Sequence, residues 1–256
     1  MIFCVNLIVA KRCLDCLTIE AGARYNLRRL MFFVIPYAMD QEIILLGKHA
    51  RQLNIDLNKE QLAQFDVYKT ELLQWNAKTN LISENSSQEI ISRHFLDSLT
   101  ALNFIPDPNA RMIDIGCGAG FPGIPLKIAQ PSLELYLLEA NRKKVSFLKH
   151  ITRLLHLSSV YILHDRVENI IKNDALKEKF DILISRAAFK LDELIALGEF
   201  FLAPEGELIA LKGPNVVQEI QQCSPTGNRH KISQLIQHDI KNDFLAAPRK
   251  IIIGKK

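Results

Sequence analysis

Four glycines lie within eight residues of the stretch MIDIGCGAGFPGIP, which covers residues 112–125. Glycine accepts positive φ angles and has no Cβ, so a run of glycines lets a ligand approach the peptide backbone closely. Gly116, Gly118 and Gly120 follow a short apolar run, and Pro122 or Pro125 suits the first turn of a helix. A merely tight turn needs only one or two glycines, so the spacing predicts a ligand-binding turn between a strand and a helix.

Two carboxylates accompany this turn and restrict the ligand. Asp114 comes just ahead of the glycines, where it can face the amino-acid portion of a sulfonium cofactor such as S-adenosylmethionine. Glu139 ends the next apolar run and can accept both hydroxyls of an adenosine ribose. Gly118, Gly120 and Gly123 also match the G-x-G-x-x-G pattern of dinucleotide-binding folds, which is weak when it stands alone. The residues favour S-adenosylmethionine and leave a NAD(P)-dependent oxidoreductase open as an alternative.

The elements that position these residues follow from the alternation of short apolar runs with helical segments. Five runs are predicted as strands: RMIDI (111–115), ELYLLE (134–139), VYILHD (160–165), FDILIS (180–185) and ELIALK (207–212). Parallel strands that are covered by helices on both faces are nearly continuously apolar. The pattern predicts a doubly wound α/β fold, with the glycines at the carboxyl edge of the sheet, where ligands bind. The segments 230–240 and 249–255 predict two further antiparallel edge strands.

The chain ahead of this sheet divides into two parts. Residues 39–105 show apolar residues at spacings of three and four, which predicts a small helical cap. The sequence PDPN at 106–109 ends that pattern and begins the predicted cofactor-binding domain, 106–256. Residues 1–38 have no clear pattern, so we interpret them as a leader that is unstructured or not native, with Met39 as a natural start.

Composition narrows the class of protein without identifying a partner. The net charge is +4, but residues 1–38 hold five Lys/Arg against two Asp/Glu, so bulk charge does not indicate nucleic acid. The five cysteines are sparse, as in a reducing cytosol, and the lone C-x-x-C of Cys13 and Cys16 lacks the second pair of a zinc site. The longest apolar runs reach about half the length of a membrane span. We expect a cytoplasmic protein with no membrane segment.

Seven stretches together resemble the bacterial 16S ribosomal RNA guanine-N7 methyltransferases, also called glucose-inhibited division protein B. They are WNAKTNLIS (75–83), RHFLDSL (93–99), IDIGCGAGFPGIPL (113–126), RVE (166–168), ISRA (184–187), LKG (211–213) and RKIII (249–253). They run in family order from about Met39 onwards, and the combination is far more specific than any one of them. The resemblance implies a class I methyltransferase, Rossmann-like sheet with an N-terminal helical cap, and S-adenosyl-L-methionine as the cofactor.

The resemblance also assigns individual cofactor contacts. Carried over residue by residue, the family's contacts fall on Gly116, Phe121, Val167, Glu168 and Arg186. They agree with the positions of Asp114, Gly118 and Glu139, which the residues themselves indicate. The chain departs from the family after SRA, where Ala188 precedes the aromatic Phe189. The resemblance further implies 16S ribosomal RNA as the partner, and we expect the RNA to be held within an assembling small subunit because the chain offers little basic surface.

The methyl acceptor is restricted by what the sequence lacks. The segment SRAAFK (185–190) contains no Asn/Asp-Pro-Pro-aromatic run for an exocyclic amine and no Pro-Cys for a covalent pyrimidine adduct. Guanine N7 already carries an in-plane lone pair and needs no deprotonation, so we expect no obligatory general base and assign no catalytic residue. An RNA-binding assembly factor that keeps the cofactor fold without turnover is the second alternative.

The stretch RHFLDS contains the side chains of a hydrolase triad. On one helix, however, Asp97 and Ser98 point about 100° apart, which disfavours a triad with His94. Two interpretations stay open: the polar residues pair where the cap meets the sheet, or Arg93 and His94 face the cleft and position RNA or cofactor.

The remaining candidates are basic or aromatic. Lys212 ends the fifth predicted strand and is the best single candidate for a phosphate or base contact. The basic residues of 142–153 and 229–256 are either solvated faces or a phosphate track. Trp75, the sole tryptophan, is expected in the core. The seven histidines show no metal-ligand spacing, so no metal site is expected.

Overall fold

A seven-stranded sheet forms the centre of the computed structural model, which describes residues 40–213, 216, 219–220, 232 and 234–256. Its strands are β1 (Arg111–Ile115), β2 (Glu134–Leu138), β3 (Val160–Leu163), β4 (Phe180–Arg186), β5 (Leu202–Lys212), β6 (Gln234–Ile240) and β7 (Arg249–Lys255). The strand order is β3-β2-β1-β4-β5-β7-β6. The first five strands are parallel, and β7 lies antiparallel between β5 and β6. The predicted α/β fold and the two antiparallel strands added at one side of the sheet are confirmed, whereas the interpretation of residues 1–38 lies outside the described residues.

Helices precede the sheet and cover both of its faces. They are α1 (Gln41–Gln52), α2 (Lys59–Thr79), α3 (Ser87–Ile90), a π-helical turn (Ile91–Phe95), α4 (Leu96–Leu99), α5 (Gly123–Ala129), α6 (Arg142–Leu154), α7 (Val167–Ile170) and α8 (Leu191–Phe201). Two 3-10 turns cover Leu102–Phe104 and Asp174–Leu176. Among the described residues, no helix is both long and apolar enough to cross a bilayer.

Two hydrophobic cores explain why the strands are apolar on both faces. Side chains alternate along a strand, so Ile113 and Ile115 of β1 enter one core, while Met112 enters the other. The core around Met112 also contains the buried faces of α1, α2, α5 and α6. Asp114 lies on the same side of β1 as Met112 and is fully buried. The alternation therefore directs this carboxylate towards the helices that surround the glycine loop.

Side chains of α2 connect the helical segment to the sheet. Asn58 and Gln61 form a capping box at the start of α2, with bonds of 2.8 and 2.9 Å between side chain and backbone. Gln61 Nε2 also donates to the carbonyls of Ile128 and Ala129 at the end of α5. The hydroxyl of Tyr68 donates to the carbonyl of Ala119 at 2.6 Å, inside the glycine loop. The helical cap thus supports the loop directly, although the boundary at residue 105 stays a prediction.

Candidate cofactor and substrate site

The glycine loop joins β1 to α5 at the carboxyl edge of the sheet. Gly116, Gly118 and Gly120 have φ angles of +70°, +61° and +103°, a region that other residues rarely adopt. The amides of Gly116 and Cys117 donate to the carbonyl of Leu138 at the end of β2. The loop is therefore held against the neighbouring strand by its own backbone, and the predicted turn between a strand and a helix is present.

The three glycines differ in what surrounds them. A Cβ on Gly116 would lie 2.7 Å from Cβ of Ala188, and one on Gly120 would lie 2.5 Å from Cδ1 of Ile124. A Cβ on Gly118 would have only Nζ of Lys144 within 4 Å, at 3.8 Å. Gly116 and Gly120 thus make room for the protein's own side chains. Gly118 is the position where bare backbone faces open space and can receive a ligand.

Asp114 lies beneath this loop. Its Oδ2 accepts a bond of 2.8 Å from the amide of Gly123 at the start of α5. Its Oδ1 is buried and has no hydrogen-bond partner. Burial raises the pKa of Asp114 to about 7, although the bond from Gly123 opposes the shift. A buried acceptor atom without a donor is costly, so Oδ1 is suited to a donor group that arrives with a ligand.

Glu139 follows β2 and is fixed by two backbone donors. Its Oε2 accepts from the amide of Gly118 at 2.9 Å, and its Oε1 accepts from the amide of Asn141 at 2.7 Å. Each carboxylate oxygen has a second lone pair, so the group can still accept two hydroxyls. Asn141 in turn caps α6 through its side chain. The carboxylate is therefore held ready beside the open face of Gly118.

The end of β3 contributes the outer part of this half of the site. Val167 and Glu168 begin α7 directly after the strand, with Val167 buried and Glu168 exposed. β1, β2 and β3 are neighbours in the sheet, so the glycine loop, Glu139 and Val167 follow one another along the carboxyl edge. The open face of Gly118, the carboxylate of Glu139 and the unpartnered Oδ1 of Asp114 together fit S-adenosylmethionine.

A second group of residues surrounds Arg186 at the end of β4. Its Nη1 donates to the carbonyl of Arg93 at 2.8 Å and to Oδ2 of Asp97 at 3.1 Å. Its Nη2 lies 2.7 Å from Nδ1 of His94. The guanidinium carbon lies 5.1 Å from the centroid of the Phe121 ring, within the range of a cation–π contact. Arg186 therefore joins the glycine loop to the helical cap.

The protonation state of His94 follows from its neighbours. A guanidinium group only donates, so Nδ1 must accept and the proton lies on Nε2, which donates to Oε2 of Glu84 at 2.9 Å. Burial, followed by the charge of Arg186, lowers the pKa of His94 to about 4. The ring also stacks on Phe121 with centroids 4.6 Å apart. His94 is neutral at pH 7 and both of its nitrogens are engaged, which does not suit a general base.

Asp97 accepts from two guanidinium groups. Its side chain is 1% exposed, and its Oδ1 accepts from Nε of Arg249 at 2.6 Å. Ser98 donates to the carbonyl of His94, so the three side chains do not form a triad. The interpretation that these residues pair at the junction of cap and sheet agrees with the contacts. Arg93 is half exposed and lies near Glu84 and Glu89, and its assignment to the substrate, like that of His94, stays a prediction.

Glu84 and Arg249 were not predicted from the sequence, and Asp97 was not assigned to the site. Glu84 lies 10 residues from its partner His94, and Arg249 lies 152 residues from its partner Asp97. No spacing rule links such residues. The weak signal that could have directed attention to Asp97 was a carboxylate among the apolar residues of a helix.

Lys212 does not lie free at the edge of the sheet. Its side chain is 7% exposed, and Nζ donates to the carbonyl of Phe189 at 2.7 Å and to Oε2 of Glu219 at 2.8 Å. It therefore holds the segment that follows β4, and its assignment to RNA stays a prediction. The part of the chain that the structure describes contains no cluster of metal-ligating side chains.

Comparison with known proteins decides the family. Residues 61–244 match the family model "GidB: rRNA small subunit methyltransferase G". The chain belongs to this family. The GidB match confirms the resemblance seen in the sequence, and with it an enzyme that is a methyltransferase and uses S-adenosylmethionine.

Sequence similarity to members of the GidB family covers most of the chain. The protein is 47% identical over 181 residues to a ribosomal RNA small subunit methyltransferase G from Syntrophus aciditrophicus, covering 70% of this chain and 75% of the relative. It is 33% identical to the protein of that name from Desulforamulus reducens, covering 85% and 91%. A predicted O-methyltransferase from Agrobacterium tumefaciens has the same fold, with a TM-score of 0.52, 19% identity and coverage of 62% and 80%.

Proposed function

We propose that the protein transfers the methyl group of S-adenosylmethionine to N7 of a guanine in 16S ribosomal RNA. The observation that carries the proposal is the row formed by Asp114, the open face of Gly118 and the doubly anchored Glu139, in a chain of the GidB family. The cofactor, when bound, supplies an electrophilic methyl group on a positively charged sulfur.

The chain's own residues have the task of orientation. Glu139 would hold the ribose and Asp114 the ammonium end, which fixes the cofactor along the carboxyl edge. Guanine N7 attacks with a lone pair that is already present, so no proton has to be removed first. Alignment of two bound reactants can contribute roughly 7 to 11 kcal/mol to the barrier reduction. The engaged nitrogens of His94 support a mechanism by positioning rather than by general base catalysis.

The acceptor would lie on the β4 side of the glycine loop. The sheet order reverses between β1 and β4, and ligands of such sheets bind across that point. Glu139 and Val167 would hold the adenosine on the β2 and β3 side. Arg93, which contacts Arg186 at the end of β4, and Lys212, at the end of β5, lie on the other side, where a guanine unstacked from folded RNA would enter.

The substrate is proposed to be 16S RNA in an assembling small subunit in the cytoplasm. Outside residues 1–38 the chain carries a net charge of only +1, which is little for a protein that must order free RNA by itself. The test incubates protein-free 16S RNA and isolated small subunits separately with labelled cofactor and compares their rates of methylation. Equal rates on both would contradict the subunit as the preferred substrate.

The reaction is tested by methyl incorporation into 16S RNA, followed by mapping of the modified base. The variant Glu139→Gln should bind S-adenosylhomocysteine about 10- to 100-fold more weakly, because a charge-assisted acceptor is lost. Glu134→Gln, at the opposite end of the same strand, is the matched control and should bind normally. Binding without incorporation would favour an assembly factor, and tight nicotinamide binding with no response to S-adenosylhomocysteine would reject the methyltransferase.

A further inference from the structure

The segment that follows β4, residues 187–190, lies on the glycine loop. A Cβ on Gly116 would approach Cβ of Ala188 to 2.7 Å and Cε2 of the Phe189 ring to 3.2 Å. Segment 187–190 can therefore pack against residue 116 only because glycine has no side chain there. The Phe189 ring is partly buried and packs against the core that contains Ile113 and Ile115, whereas Ala187, Ala188 and Lys190 are exposed.

This segment is fixed although most of it is exposed. Nζ of Lys212 donates to the carbonyl of Phe189, and Glu219 accepts both from Lys212 and from the amide of Leu191 at 3.0 Å. Ala187 has a φ of +54°, which alanine rarely adopts. Strained backbone of this kind persists where its surroundings enforce it, and it concentrates at functional sites. The contacts fix the backbone at Phe189 and Leu191, and with it the place from which the Phe189 side chain starts.

Phe189 follows the end of β4 by three residues, on the side of the site where we expect the methyl acceptor. Glu139 and Val167 would hold the adenosine near β2 and β3, so the sulfur of a bound cofactor would lie towards β4. A nucleophile that attacks in line must then approach from the β4 side of the glycine loop, where the Phe189 ring stands beside Gly116.

We propose that Phe189 stacks on the guanine that receives the methyl group. The inference rests on the proposed function and adds a substrate-positioning residue to it. A base taken out of folded RNA loses its stacking partners, and an aromatic ring at the site replaces them. Stacking would also set the plane of the purine, so that the N7 lone pair points along the edge of the sheet towards the methyl group.

The first experiment is a kinetic series with Phe189→Ala, Phe189→Leu and Phe189→Tyr on small subunits. Leu keeps most of the apolar volume without a ring, so it separates stacking from simple packing. We expect kcat/KM to fall about 10- to 100-fold for Ala and Leu and to stay within about threefold for Tyr. S-adenosylhomocysteine affinity, measured by calorimetry, should stay within about threefold for all variants.

The second experiment observes stacking without turnover. Trp75 is the sole tryptophan, so the double variant W75F/F189W carries one fluorophore at the proposed position. With S-adenosylhomocysteine present, 7-methylguanosine monophosphate should quench this fluorescence, whereas cytidine monophosphate should quench it much less. The wild type, whose Trp75 packs against Phe147 and His150, is the control and should not respond.

The outcomes are distinct. Full activity of Phe189→Leu, or no quenching in the double variant, would overturn the stacking role. A loss of S-adenosylhomocysteine affinity in step with the loss of rate would make Phe189 a cofactor contact and would also overturn it. Failure of the wild type to methylate 16S RNA both in its protein-free form and in small subunits would instead reject the proposed function, and the fluorescence arm would still report on guanine binding.

Discussion

Asp97 and Arg186 lie 3.1 Å apart, although 89 residues separate them along the chain. The same carboxylate accepts from Arg249 on β7, so one buried anion orders two cations from different parts of the sheet. The pair fixes Arg186 over Phe121 and beside His94. The relationship also generates the first prediction, because removal of a buried anion leaves its cations without compensation.

Asp97→Asn should lower the free energy of unfolding by about 3 kcal/mol or more, measured by urea denaturation, since one side of a buried ion pair is lost. It should also weaken S-adenosylhomocysteine binding, because Arg186 loses its fixed orientation. Asp56→Asn is the matched control, since Asp56 pairs with Arg51 in full exposure and should change stability by less than about 1 kcal/mol. Equal stability of the two variants would contradict the role given to Asp97.

The lowered pKa of His94 predicts a pH dependence of stability. The unfolded chain takes up a proton near pH 6.5, whereas the folded protein does so only near pH 4. The contribution is therefore complete above pH 6.5 and is lost as the pH falls towards 4. Between pH 7.5 and 4.5 the wild type should lose about 2 to 3 kcal/mol more than His94→Gln, measured by urea denaturation at each pH. The pKa of Asp114 is shifted in the opposite direction, but this contribution is present in both proteins and cancels in the comparison. Identical losses of stability would therefore refute the lowered pKa of His94.

The raised pKa of Asp114 predicts proton release on cofactor binding. Near pH 6.5 much of this carboxyl group is protonated, because burial raises its pKa to about 7. A cationic ammonium group placed against Oδ1 favours the ionised form, so binding should release about half a proton or more. Calorimetry of S-adenosylhomocysteine binding in buffers of different ionisation enthalpy measures this number. Asp114→Asn should release none, and an unchanged release would place the ammonium group elsewhere.

The variant Gly118→Ala tests whether the ligand approaches the open face of the glycine loop, because it affects ligand binding and loop stability to different extents. The added Cβ would enter the open face of the loop at a φ of +61°, so stability should fall by about 1 to 2 kcal/mol. S-adenosylhomocysteine binding should fall at least about tenfold, beyond what that loss of stability explains. Gly213→Ala is the control, because its Cβ would meet nothing within 4 Å. Normal binding by Gly118→Ala would show that the ligand does not approach this face.

The sheet was predictable because its strands have a strong apolar signal. Four of the five predicted parallel strands, and the predicted strand at 249–255, agree with the structure to within two residues at either end. β5 begins at Leu202, five residues before the predicted start, because Pro204, Glu205 and Gly206 weaken the pattern. The π-helical turn was not predicted either, since its insertion into a helix leaves the spacing of apolar residues almost unchanged.

The site was predictable where chemistry and backbone coincide. Gly118 and Glu139 could be predicted because they come after β1 and β2 in the sequence. In the structure the amide nitrogen of Gly118 lies 2.9 Å from Oε2 of Glu139. Lys212 was expected at the same edge, but its amino group is turned inwards by Phe189 and Glu219. Such partners depend on how separate elements meet in three dimensions, which periodicity does not report.

The position of β7 has a consequence for how the protein matures. This strand comes after the other described elements in chain order, yet it is inserted between β5 and β6, and its first residue is the one that reaches Asp97. During synthesis, the glycine loop and the helical cap emerge earlier, while Asp97 still awaits its second cation. Asp97 therefore gains both of its charge partners only after β7 has left the ribosome.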